Sequence, residues 1–455
     1  MNYRICAVPF FLVVFVGWGL GCSEDDGEGF ENDGSYCDVI PWQCDQFEAG
    51  PVLSERRTNH EVVALDDARV LLVGGVGFVE DADSYLDRLL DHAEIVDVVA
   101  GQTRDGGALS QPRRGDAVRA PDGAVLLIGG RDRDGEDIRY VERFDPVTES
   151  WSVLDGPETS VSPSVAEVGD ASLLLVGGSD SDGSSVSSAQ RYDADTVVLQ
   201  EASSSHHAYR YPELVPLDDG GVLVLEGENE GEFDEAVGRI YGEVYGPSDE
   251  WSPVEPLELN TRIDRVSATQ LPDGQILVLF SHRELDDGVE TPINATSWAW
   301  LNQITAALYD LEDNQWTELG TFEEAYGGLR PDITWLPEKE KYLLHLLGDS
   351  MDWTFGYLFD PKDKEWEFLY ERRPIPGWVV EVLPGDQVLF RFSERFELYN
   401  ATTNSWSEFD VIPETIRFSS IKLLPDCRLF FSGARVVGGD PMEEPEMHTA
   451  FCTPE

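Results

Sequence analysis

A chain of 455 residues that is 41% apolar, with 12 Trp, 15 Tyr and 21 Phe, has the material for a packed core and is not a disordered polyanion. Its 88 acidic residues against 32 basic ones leave a net charge of −56. Such a surface repels phosphate backbones and anionic lipids, so nucleic acid is excluded as a partner.

The chain opens with the basic "MNYR" and the apolar run "AVPFFLVVFVGWGL", which has the length of a signal peptide and is short for a membrane span. The run ends in "GLGC" and gives way to "SEDDGEGFENDG". This resembles a bacterial lipoprotein signal, which implies a signal peptide over 1–21, lipidation of Cys22 and an acidic tether over 22–36. The match departs from the usual pattern in one place: Leu20 stands two residues before the cysteine, and Gly19 takes the position where Leu is expected. An ordinary cleaved secretory signal is the alternative. Both readings export the mature chain to a compartment where disulfides form.

From there on a short β-hairpin recurs. Its core is an apolar run that often closes on glycine: "RVLLVGG" (69–75), "AVLLIGG" (124–130), "SLLLVGG" (172–178) and "GVLVLEG" (221–227). Weaker copies are "QILVLFS" (275–281), "YLLHLLG" (342–348), "QVLFRFS" (387–393) and "RLFFSGA" (428–434). Successive copies end 41 to 67 residues apart, a blade-like period. Turns such as "RAPDGAV" and "QLPDGQI" precede the run, where Asp-Gly supplies the positive φ of a tight hairpin. A third strand follows, ending in an aromatic and usually Asp, with Trp opening a fourth: "FDPVTESW", "YDLEDNQW", "FDPKDKEW" and "YNATTNSW".

The paired glycines, the spaced aromatic and the Trp make residues 46–455 resemble a Kelch-type β-propeller, the fold of Kelch-repeat proteins and of galactose-oxidase-like central domains. The resemblance implies an all-β fold of four-stranded blades. Eight hairpins imply eight blades, or seven if one hairpin is an insertion. The propeller is expected over 37–455, with blades at roughly 55–104, 113–155, 160–202, 206–255, 261–320, 328–370, 375–410 and 416–455. The last copy reaches only a third strand, so the segment 37–53 is expected to supply its fourth and close the ring. Two long insertions stand out: "VGFVEDADSYLDRLLDH" at 76–92, spaced for a short helix, and a loop over 282–305. Long loops on a rigid scaffold are where binding concentrates.

Four cysteines remain in the mature chain besides Cys22. Aligned on the other copies, Cys427 takes the place of Gly123 and Cys452 that of Asp145, which sets them nearly opposite on neighbouring strands. The expected pairs are Cys427–Cys452 and Cys37–Cys44; the competing link is Cys44–Cys452. With these cysteines paired, none is left for the Cys–Tyr bond of a galactose-oxidase copper site. The seven histidines are scattered, and the adjacent His206 and His207 make a poor chelating pair. The loops "RDRDGED" and "SDSDGSS" place Asp132, Asp134, Asp180 and Asp182 as candidate calcium ligands, though as turn formers they need no metal. No cofactor is expected. Trp298, Trp300, Trp335, Trp353, Tyr209 and Tyr211 are candidate aromatics for stacking on a sugar, against packing between blades.

The expectation is a monomeric, non-enzymatic scaffold that binds protein or glycan, exported and held at the outer membrane or cell surface by its lipid alone, or secreted. The alternative is an exported carbohydrate-active hydrolase or lyase with carboxylates at the propeller axis.

Overall fold

The computed structural model describes residues 4–8, 11–15, 47–55, 57–77, 88–230, 237–285, 300–326, 329–348, 354–372, 377–392, 395–408, 416–424, 429–435 and 447–452. The chain divides into two compact units, Met1–Ser162 with Asp193–Gln200 and Val379–Glu455, and Pro163–Tyr192 with Glu201–Trp378. Both are built from antiparallel sheets, numbered below in chain order. Among the described residues no helix is long and apolar enough to cross a membrane. Near the start, Arg4–Val8 and Phe11–Phe15 pair as a hairpin.

The first unit holds sheet one (Glu61–Ala64, Arg69–Val73, His92–Asp97, Gln102–Ala108) and sheet two (Arg114–Arg119, Val125–Arg131, Val141–Asp145, Ser150–Val153). It also holds sheet seven (Gly377–Leu383, Gln387–Phe392, Arg395–Asn400, Ser405–Glu408) and sheet eight. In sheet eight the strands Ile416–Leu423, Leu429–Arg435 and Met447–Cys452 are joined by Phe47–Val52 from the chain start, with Phe47 opposite Cys452. The second unit holds sheet three, begun by Ser164–Val168, Ser172–Val176 and Ala189–Asp193. Sheet four follows (Glu213–Pro216, Val222–Glu230, Val237–Gly246, Glu250–Pro253, with Leu257–Leu259 added). Sheets five (Arg262–Gln270, Ile276–Leu285, Trp300–Asp310, Gln315–Tyr326) and six (Leu329–Leu336, Lys341–Gly348, Thr354–Asp360, Glu365–Arg372) complete it.

The repeated apolar run is a second strand covered on both faces, which is why it does not alternate with polar residues. In Arg69–Val73, Leu71 and Val73 pack with Ala117, Val125, Leu127 and Phe144 of sheet two. Val70 and Leu72, between them, pack with Leu424 and Phe430 of sheet eight. The closing glycines are needed where this strand leaves its ladder with the third strand and its ladder with the first strand bulges, beyond Ile128 in sheet two. Gly130 has φ +108°, and a Cβ there would stand 2.1 Å from the Arg114 carbonyl oxygen. Where the pair is lost the strand runs on, as in Val222–Glu230 and Ile276–Leu285.

The aromatic–Asp–Trp pattern also resolves into separate jobs. Phe144 stands opposite Trp151, Tyr245 opposite Trp251, Tyr309 opposite Trp316, Phe359 opposite Trp366 and Tyr399 opposite Trp406. Their ring centroids lie 4.4 to 5.2 Å apart, within the range of favourable cross-strand pairs. The Trp151 indole N–H donates to the Gly106 carbonyl of sheet one at 3.0 Å, tying one sheet to the next. Asp145 caps the intervening turn by accepting the Val147 and Thr148 N–H groups, and those bonds lower its pKa.

Two expectations change, the turn and the loop. At "APDGA" only Gly123 is left-handed (φ +80°), with Asp122 accepting the Ala124 N–H, so the turn has one left-handed residue rather than two. Both ends of the loop expected over 282–305 are strand, because Ile276–Leu285 pairs with Trp300–Asp310 along ten positions; 286–299 lie outside the described residues. Cys452 stands opposite Leu429, two residues beyond Cys427. Cys427, Cys22, Cys37 and Cys44, and the helix expected within 76–92 at 78–87, lie outside the described residues.

Candidate functional site

On the third strands, Glu94 stands opposite Leu72, Glu142 opposite Leu127 and Glu243 opposite Val224, one and the same register in sheets one, two and four. All three are buried. A buried carboxylate is tolerated only with donors around it. In sheet one they come from Ser54-x-x-Arg57: the Ser54 N–H donates at 2.7 Å and the Arg57 guanidinium at 2.7 Å. In sheet two they come from Ser110-x-x-Arg113, with the Ser110 N–H at 3.0 Å and Arg113 at 3.0 Å. Each arginine also donates to backbone carbonyls, Arg57 to Gly74 and His92, Arg113 to Gly129 and Leu127. Burial lowers both guanidinium pKa values, and the facing glutamates pull them back up.

In sheet four the same spacing carries His206-x-x-Tyr209. Glu243 accepts the His206 N–H (3.0 Å), the His207 N–H (3.2 Å), the Tyr209 hydroxyl (3.2 Å) and the His206 Nδ1 group. Tyr209 takes the place of the arginine: it packs on Gly177 as Arg113 packs on Gly74. Tyr209 and Tyr241 stack with centroids 5.5 Å apart, and His207 lies 5.0 Å from Tyr241. Burial, then Glu243, pushes the Tyr209 hydroxyl pKa far up; burial, then Glu226, does the same to Tyr241. The next residues project outward. Tyr211 is 64% exposed, the Arg210 guanidinium lies over its ring at 5.6 Å, and both their N–H groups are held by the Glu226 carboxylate. An exposed aromatic and cation are thereby mounted on a fixed backbone.

A second set of carboxyls sits on the first strands, the sheet edges whose outward N–H groups lack a ladder partner. Glu61 of sheet one accepts the Ala117 N–H of sheet two. Glu213 of sheet four accepts the Ala268 N–H of sheet five at 3.3 Å. Glu61 and Glu213 occupy one register, opposite Val73 and Leu225, as do Ala117 and Ala268, opposite Leu127 and Val278. Each carboxyl is therefore a latch between neighbouring sheets. Burial, with Asp116 adding, pushes Glu61 up to about 8. Burial pushes Asp116 up to about 7 against the pull of Arg114, and Glu213 up to about 8 with Asp332 adding.

Of the aromatics singled out in the sequence, Tyr209 is fully buried and packs, and cannot stack on an incoming ring. Trp335 is half-buried against Tyr342, 4.6 Å away, and packs as well. Tyr211 alone of those with described side chains is exposed; the side chain of Trp300 and all of Trp298 and Trp353 lie outside the described residues. Asp132 accepts the Asp134 and Glu136 N–H groups, and Asp180 those of Asp182 and Ser184. Both act as turn caps, and among the described residues no group of three His, Cys, Asp or Glu side chains converges to hold a metal. His60 Nε2 bonds Ser432 Oγ at 2.8 Å within the core, and burial, with Arg57 adding, pushes its pKa down to about 3. The Ser-x-x-Arg arrangement was missed. Its signal was the pair "LSERR" and "LSQPRR", each just ahead of a first strand.

Residues 112–156, which are sheet two with its Arg113, match the Kelch motif. Together with the four-stranded antiparallel sheets, this fits a Kelch-type β-propeller. No curated protein matches the chain. The Kelch repeat points to a scaffold for protein interaction.

Proposed function

We propose that the chain is an exported, cell-envelope Kelch-repeat lipoprotein that acts as a non-enzymatic binding scaffold for a protein or glycan. In this reading it forms eight blades, closed where Phe47–Val52 completes sheet eight, and is tethered as a monomer through Cys22. It uses no cofactor, and its cysteines pair as Cys427–Cys452 and Cys37–Cys44. The observation that carries the binding role is the Arg210–Tyr211 pair, exposed yet fixed through Glu226 just after the place where sheets one and two bury an arginine. Rigid aromatic and arginine side chains are the common anchors of interfaces. The test is a glycan array beside a pull-down from envelope extracts, with wild type and Arg210→Ala/Tyr211→Ala. Capture that the double substitution abolishes supports the scaffold; silence from both assays, or capture unaffected by it, overturns it. A mature mass without diacylglycerol overturns the anchor, and a Cys44–Cys452 peptide on non-reducing mapping overturns the pairing.

A second reading, the exported carbohydrate-active enzyme, has one observation in its favour. Glu61 and Asp116 titrate near neutrality beside Arg114, as an acid–base pair does. Its test is turnover on a polysaccharide panel that Asp116→Asn abolishes.

A further inference from the structure

The buried third-strand glutamate meets a permanent positive charge in sheets one and two, and a switchable one in sheet four. Arginine stays charged at every accessible pH, whereas an imidazole changes charge between about pH 5 and 8. We propose that His206 and Glu243 form a pH-sensitive clasp that holds the 203–211 segment on sheet four in mildly acidic conditions and slackens it above neutrality.

The groups around the clasp leave this role to His206. From its own segment, His207 gives Glu243 only its backbone N–H and lays its ring on Tyr241, and Arg210 lies over Tyr211. On the second strand, Glu226 is taken up by the Arg210 and Tyr211 N–H groups and the Tyr241 hydroxyl, while Glu228 is paired with Arg239. On the third strand, Tyr241 bonds Glu226 and Ala208, and Arg239 lies over the Tyr241 ring. Among the described residues, His206 is therefore the one partner that meets Glu243 through a side chain able to carry a positive charge. Its side chain is 66% exposed, open to protons from solvent, while that of Glu243 is fully buried. When the imidazole is protonated, the Nδ1–H donates a charge-assisted bond to the carboxylate. When it is neutral, Glu243 keeps only the two backbone N–H groups, the Tyr209 hydroxyl and a neutral imidazole. The segment that gains or loses this bond carries Arg210 and Tyr211, so the clasp regulates how firmly that pair is presented. It stands whatever the pair binds.

The test is amide hydrogen exchange on the full chain at pH 5.5 and 7.8, corrected for intrinsic rates. A charge-assisted bond outweighs a neutral one by about tenfold in equilibrium constant. Protection of the 203–211 peptide is therefore expected to fall about tenfold at the higher pH. The 145–149 turn, where Asp145 accepts the Val147 and Thr148 N–H groups and its pKa is lowered, serves as the control and stays unchanged. The variant His206→Ser/Tyr209→Arg, which installs the arrangement of sheet two, is expected to be protected equally at both pH values. If it does not fold, His206→Asn answers the same question and is expected to show low, pH-independent protection. Wild-type protection that changes less than twofold, a matching loss in the 145–149 peptide, or a tenfold change that persists in His206→Asn overturns the clasp.

Discussion

Replacing Glu61 with Gln should make the chain more stable in alkali while leaving it unchanged in acid. Glu61 is buried, and its pKa rises from the ordinary 4.5 to about 8. Below pH 4.5 the carboxyl is protonated in both the folded and unfolded chain, so it costs nothing. Between pH 4.5 and 8 the unfolded chain loses the proton and the fold keeps it, so stability falls as pH rises. Above pH 8 the full cost is present, about 5 kcal/mol at roughly 1.4 kcal/mol per pH unit. Gln has nearly the same shape, and its amide oxygen still accepts the Ala117 N–H, so the latch survives without the titration. Urea unfolding followed by Trp fluorescence at pH 5 and pH 8.5 reads the effect. Wild type and Glu61→Gln should agree to within about 1 kcal/mol at pH 5, and the variant should unfold later at pH 8.5 by as much as about 5 kcal/mol. His60 works in the opposite sense: its lowered pKa costs stability as pH falls from 6.5 toward 3, equally in both proteins. Parallel pH profiles for the two proteins, or a variant less stable at pH 8.5, would refute the reasoning.

Arg113→Met strands Glu142 and should cost about 3–5 kcal/mol, most of it recovered in Arg113→Met/Glu142→Leu; a double-mutant cycle in urea checks this. Gly130→Ala meets the Arg114 carbonyl and should lower the melting temperature well beyond Gly183→Ala, whose site has φ +79° but open space around it. Asp132→Ala removes a turn cap and should cost about 0.5–2 kcal/mol by thermal melt, the same in calcium as in EDTA. A larger loss in calcium would restore a metal to that loop.

Much of the fold was legible because its signals are local. A run buried on both faces, a turn-capping Asp and a Trp opposite an aromatic all lie within a few residues of one another. The carboxylate network was not legible, because its partners are joined by tertiary contacts: Arg57 and Glu94 are 37 residues apart. A chain so rich in acids gave no reason to single out Glu61, Glu94, Glu142 or Glu243 before their register was known. The aromatics divided on burial, which spacing does not encode: Tyr209 and Tyr211 are two residues apart, and one is sealed while the other stands in solvent.

Because Leu71 and Val73 serve one neighbour and Val70 and Leu72 the other, every second strand of this kind is a party wall, furnished on both sides. A single-residue deletion inside it would turn each side chain toward the wrong room and spoil two cores at once. Loss or gain of a whole hairpin unit would leave every remaining wall facing as before. Such a chain can change its length in steps of one sheet far more safely than in steps of one residue. Between sheets, where no wall is shared, its loops are free to diverge.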